Sequence, residues 1–240
     1  MVRCDFMHGS FLGVYLESCG NCIWELANLG HFCPLDQSMP NRLKYAYWAL
    51  SAYVRRNRLH IELRSFTLNT FSNPSDTKSP ELVCKAHDCR IIVGWLADEC
   101  IKTTDINTMH GKRRCALAWW QRELCEALEE SPRYLIDPYL QRVLAAGHEY
   151  LTLYLAFTEE FRDSTSTPRV WKCLRKLHPL VHLFEDMELD KLNCRFYSGW
   201  TDESLMCRVV SMMKGQNPRT ASMNVLVSWW PAFVESLRCP

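Results

Sequence analysis

The chain contains no run of about 18 or more uncharged apolar residues, so no transmembrane helix and no membrane partner are expected. It has no excess of one charge either: 28 Lys and Arg stand against 27 Asp and Glu, for a net charge of +1. No global field therefore draws the protein to nucleic acid, and any DNA contact has to come from local basic groups. A signal-peptide pattern is lacking, because Arg3 and Asp5 lead into a mixed segment. A Gly-rich phosphate loop and a nucleophile elbow are both missing, which argues against nucleotide-cradling and serine-hydrolase chemistry. Internal repeats and low-complexity tracts are absent as well.

What is present suits a helical core. A length of 240 residues with 48% hydrophobic content is enough for one large domain or two small ones. The 13 cysteines are odd in number and irregularly spaced. They read as reduced thiols inside a cell rather than a disulfide framework. Nine Trp, nine Tyr and ten Phe fit a well-filled interior better than a base-stacking surface.

Residues 1–7 allow a short strand. Residues 10–29 then place Phe11, Leu12, Val14, Tyr15, Leu16, Cys19, Ile23, Trp24 and Leu26 at helical spacing, closed by Gly30. A loop with Pro34 and Pro40 leads to a helix over 43–58, whose Arg55, Arg56 and Arg58 suit a helix C-terminus. Residues 60–71 alternate partly like a strand, and 72–80 form a loop. Helices are expected at 81–102, 112–130, 137–161, 169–176, 179–190, 204–214 and 219–237. The fold class expected is mostly α, with at most one or two short strands.

Several groups carry chemistry. Asp5-Phe6-Met7-His8 sets an aspartate at the end of a short apolar segment, where a carboxylate is a natural metal ligand. Lys176-Leu177-His178-Pro179-Leu180-Val181-His182-Leu183 puts His178 and His182 at i and i+4 on one helix face, a spacing that can bind metal. The lack of a Glu in a His-Glu-x-x-His arrangement argues against a zinc hydrolase. Asp202 and Glu203 open a later helix after the aromatics Phe196, Tyr197 and Trp200; Asp202 suits the cap and Glu203 projects from the first turn. Lys112-Arg113-Arg114, with His110, is the best local candidate for phosphate contact. Cys19 and Cys22 with His31 and Cys33 form a candidate zinc set, and Cys84 and Cys89 near His87 a weaker one; buried thiols are the competing reading of both. Trp119-Trp120 and Trp229-Trp230 read as packing residues.

Taken in order, these segments resemble the second half of a DDE-type transposase of the CACTA (En/Spm) kind, and related multicopy transposase-like proteins of protist genomes. The order is Asp-x-Met-His, then an apolar Leu12-Gly13, a long helical region, Leu-His-x-Leu-Val-His-Leu, Arg195 with two aromatics, and an acidic residue in a new helix. The resemblance spans nearly the whole chain but is anchored in two short motifs. It implies an RNase H-like core in which Asp5 is the second catalytic acid and Glu203 the third, reached after a helical insertion. The two would hold Mg²⁺ or Mn²⁺, because two cations about 4 Å apart clamp the attacking and leaving oxygens in DNA strand transfer. His8, His178, His182 and Asp202 would support the site, and Lys176, Lys112, Arg113 and Arg114 would touch DNA. Localisation would be intracellular, and nuclear if the protein acts on DNA.

The resemblance also implies three parts: 1–30 as the end of the catalytic core, 31–175 as the helical insertion, and 176–240 as the C-terminal helices. The first acid is expected upstream of residue 1. Where the family carries Phe-Glu-Arg at the third acid, this chain reads Asp202-Glu203-Ser204, without the arginine. The expectation is therefore an incomplete or inactive remnant of a strand-transfer enzyme. A non-catalytic helical binding module, stabilised by zinc, is the alternative.

Overall fold

The computed structural model describes residues 5–35, 37–165 and 168–198. Among these residues six α-helices follow one another: α1 (Tyr15–Asn28), α2 (Met39–Arg56), α3 (Ala86–Cys100), α4 (Met109–Glu130), α5 (Tyr139–Glu160) and α6 (Leu177–Asp190). A wide-turned helical stretch, Met7–Val14, precedes α1, and short 3-10 turns lie at Leu68–Phe71 and Cys194–Tyr197. Among the described residues no sheet forms; isolated bridges join Ser75 to Lys78 and Tyr134 to Leu192. The fold is mostly α, and none of the described helices is long and apolar enough to cross a membrane.

Local chemistry sets the helix ends. Gly30, at φ +72°, closes α1: its N–H bonds the Ala27 carbonyl, and the His31 N–H bonds that of Leu26, which satisfies two carbonyls left open by the last turn. Arg58 takes the same left-handed position after α2, with Arg58 and Leu59 donating to Arg55 and Val54. Thr108 caps α4 by accepting from the Gly111 N–H at 2.9 Å.

The core is built around α1, nearly all of whose residues are buried, as expected for a helix packed on every side. It lies against α2 and α3, while α4 packs on α3 and α5, and α6 on α5 and the Met7–Val14 stretch. The described residues cluster as a single compact unit. One close approach needs a glycine: a Cβ at Gly20 would stand 1.7 Å from the Pro80 carbonyl oxygen. Most large aromatics are interior. Phe6, Phe11, Tyr15 and Tyr150 form a chain of edge-on rings, with successive centroids 5.2–5.6 Å apart, that ties the N-terminal stretch to α5. Trp119 departs from this pattern; it is 37% exposed and set edge-on to Trp120.

Four local expectations are corrected. The described part of 1–7 is helical from Phe6 onward, not a strand. Residues 60–71 run without a partner strand, because the Asp88 carboxylate takes the N–H groups of Glu62 and Leu63, each at 3.0 Å. Residues 81–85 are extended rather than helical: the Leu82 N–H donates to Leu16 and that of Val83 to Thr70, so α3 starts at Ala86. The segment expected as a helix over 169–176 is irregular. Trp171 has φ +51°, its N–H donates to Asn21, and the Lys172 carbonyl accepts from the Tyr154 hydroxyl. The helices expected at 204–214 and 219–237, with Trp200, Trp229 and Trp230, lie outside the described residues.

Candidate functional site

Two segments some 170 residues apart in sequence meet at one pocket of about 220 Å³, lined by Asp5, His8, Gly9, Lys176, Pro179, Leu180 and Leu183. The first is the start of the Met7–Val14 stretch. There the Asp5 carboxylate accepts the Met7 N–H at 2.9 Å and bonds the His8 ring nitrogen Nδ1 at 2.7 Å. An aspartate just ahead of a helical segment satisfies an otherwise open N–H. The second is the start of α6. The Met7–Val14 stretch kinks at Leu12 and Gly13, and the Lys176 ammonium donates to the Leu12 carbonyl at 2.6 Å. Gly13 leaves room for the lysine stem; a Cβ there would lie 2.8 Å from Lys176 Cδ.

Three of the residues singled out in the sequence, Asp5, His8 and Lys176, thus share a pocket. His178 and His182 do not line it. They project from the outward face of α6, where their Nε2 atoms stand 3.0 Å apart, and His182 Nδ1 bonds Glu185 at 2.7 Å. Asp202 and Glu203 lie outside the described residues. For a Mg²⁺ or Mn²⁺ ion the described donors fit poorly. Among the described residues Asp5 is the one carboxylate lining the pocket, its oxygens already engage Met7 and His8, and Lys176 lines the same space. Hard divalent ions take several oxygen ligands.

The basic cluster is corrected by the structure. Arg114, expected to face phosphate, is 1% exposed and points inward. Its guanidinium bonds Glu25 at 3.1 Å and also Asp105, while its Nε is buried without a partner. Arg113 pairs with Glu160 at 3.0 Å. Lys112 remains on the exposed side of α4.

Beside Arg114, His110 bridges α1 and α5: Nε2 bonds Glu25 at 3.0 Å and Nδ1 bonds Glu160 at 2.9 Å. Both ring nitrogens face carboxylates, so both donate, and the ring is an imidazolium. The hydrogen bond to Glu25 is the largest cause that raises its pKa above the ordinary histidine value, with Glu160 adding to it against the cost of burial. The Trp171 indole N–H also donates to Glu25. Burial pulls the Arg114 pKa down, but Glu25 and its other anionic neighbours outweigh it, and the guanidinium stays charged. An adjoining cavity of about 260 Å³, walled by Trp24, Leu29, Phe161 and Val170, opens onto this network. Sequence reading missed Glu25, Asp105, Glu160 and Trp171 as partners. The signal at hand was an arginine whose neighbours three and four positions on, Leu117 and Ala118, are apolar, which marks an inward helix face.

No zinc set assembles: among the described residues no three His, Cys, Asp or Glu side chains gather as a cage. Cys19 and Cys22 are buried in α1, and His31 bonds Glu99 at 3.0 Å. The Cys22 thiol is pushed up by its contact with Cys100 and by burial, and Cys89 by burial and its contact with Cys19. His87 instead bonds the His60 carbonyl. Such thiols are protonated structural groups rather than reactive ones.

No family model matches the chain, and neither a curated protein nor a solved structure matches it.

Proposed function

We propose that this is a transposase-like protein, a non-catalytic remnant of a metal-dependent DNA strand-transfer enzyme. One observation carries the reading: Asp5 and His8 share a pocket with Lys176, so the two motifs on which the resemblance rests lie side by side although some 170 residues separate them in sequence. The setting of Asp5 supports the inactive reading. It precedes a helical segment, its carboxylate is bonded by Met7 and His8, and Lys176 lines the same pocket. DNA is the partner the resemblance implies, and the exposed Lys112 is the member of the basic cluster left to meet it.

The lineage is tested by an experimental structure of the full chain. Carboxylates of Asp5 and Glu203 roughly 4–8 Å apart support it, as expected for acids that once shared a metal pair. A separation beyond about 15 Å would overturn it. A plasmid-nicking assay with Mn²⁺ tests the inactivity, and no cleavage is expected; cleavage that disappears in Asp5→Ala would refute it.

A second reading, a helical binding module without catalytic ancestry, is favoured by the absence of any sheet among the described residues. Stoichiometric zinc in the purified chain, together with widely separated Asp5 and Glu203, would select it.

A further inference from the structure

The outward face of α6 carries a feature that neither the pocket nor the core accounts for. Leu177, Leu180, Leu183, Phe184 and Met187 turn inward and fix the helix; the Phe184 ring sits where a Cβ of Gly147 on α5 would be, at 2.4 Å. On the opposite side His178 and His182, one turn apart, hydrogen-bond through their Nε2 atoms at 3.0 Å. His182 is also held from behind: its Nδ1 donates to Glu185 Oε2 at 2.7 Å, which leaves Nε2 as the ring's lone-pair nitrogen.

We propose that His178 and His182 form a two-nitrogen chelate for a late first-row divalent ion of the Ni²⁺ or Cu²⁺ kind. With metal–nitrogen bonds of about 2.0–2.1 Å, a nitrogen–nitrogen span of 3.0 Å subtends roughly 91–97° at the ion. That is the angle between neighbouring ligands in square-planar and octahedral coordination, the geometry of Cu²⁺ and Ni²⁺. Imidazole ligands and the order of affinities among divalent ions favour the same metals. Both rings belong to a packed helix, an ion would replace the hydrogen bond between them with His178 carrying its proton on Nδ1, and Glu185 behind His182 fixes its tautomer as carboxylates do behind metal-bound histidines. Water completes the coordination. The proposal does not rest on the transposase-like reading, which concerns oxygen-bound ions at Asp5.

The test is calorimetric titration of the full chain with Ni²⁺, which does not oxidise the thiols, against His178→Ala, His182→Ala and the double variant. Both histidines are exposed, so the variants keep their helicity, which circular dichroism checks. The wild type is expected to take up one Ni²⁺ more than the double variant. Each single variant should lose most of that affinity, and Glu185→Gln should weaken it about tenfold. Asp5→Ala should bind as the wild type does. Equal uptake by the wild type and the double variant would overturn the proposal, as would loss of the Ni²⁺ in Asp5→Ala.

Discussion

Where α1, α4 and α5 meet, charge is turned inward: Arg114, Glu25 and Asp105 bond one another in a largely dry setting, and His110 and Glu160 extend the network to its half-exposed edge. Where the N-terminal stretch meets α6, the charged groups are open to water, with His8 62% and Asp5 31% exposed. Both regions join segments distant in sequence, yet they differ in what holds them. In the first, low polarity makes each ionic bond strong and each missing partner costly. In the second, apolar contacts of α6 and the aromatic chain through Phe6 and Phe11 hold the elements, and the polar groups are close to neutral in energy. Buried charge thus marks the structural junction here, while the exposed charges at the N-terminal stretch add little to holding the fold together.

The sharpest way to break this contrast is Arg114→Ala. It leaves Glu25 and Asp105 facing each other without their guanidinium, and removing one partner of a buried ionic group costs about 3–5 kcal/mol. Urea unfolding should show a loss of that order. A loss below about 1 kcal/mol is the value for a solvated surface pair, and it would mean that the junction is wet. Adding Glu25→Gln to Arg114→Ala should cost less than the two separate losses together, because the residues share one network.

Next in size is His110→Gln, expected to cost about 1.5–3 kcal/mol, the range for hydrogen bonds to charged groups. Its cost should depend on pH. The folded pKa of His110 is raised above the ordinary value of 6.5, so its contribution is full below that value and is lost as pH rises through the folded pKa. Glu25, Glu160 and Asp105 are the acids around it, and Arg113 and Arg114 the bases. Unfolding measured between about pH 6 and about pH 9 should show the wild type and His110→Gln converging toward alkaline pH. A difference that stays constant would show that the ring does not bridge as an imidazolium.

The same contrast explains what could be read from the chain. Helical periodicity located α1, α2, α4, α5 and α6 within a few residues, because each has one face of regularly spaced apolar side chains. It failed where backbone groups find partners far away in sequence. The extended 81–85 segment depends on the carbonyls of Leu16 and Thr70, and the irregular chain around Trp171 depends on Asn21 and Tyr154. No local pattern encodes those partners. Asp5 was legible as a carboxylate with a role, but its role as the partner of the Met7 N–H follows from a helical start that an apolar segment does not reveal. Lys112-Arg113-Arg114 was legible as a basic run. That its third member turns inward depends on Glu25 and Asp105, contributed by α1 and by the loop before α4.

The smallest effect belongs to the exposed region, and it closes the contrast from the other side. His8→Ala removes the bond to Asp5 but leaves the Asp5 acceptor on the Met7 N–H. Exposed pairs of this kind contribute about 0–1 kcal/mol, because water replaces the lost partner and ordering the side chains costs entropy. The unfolding free energy of His8→Ala should therefore lie within about 1 kcal/mol of the wild type, and about 1 M salt, which shortens screening to a few ångströms, should shrink the difference further. The cost of Arg114→Ala should persist in the same salt, since buried pairs are screened far less. If instead His8→Ala destabilised the protein as strongly as Arg114→Ala, polar bonds rather than apolar packing would be what joins the N-terminal stretch to the rest of the fold.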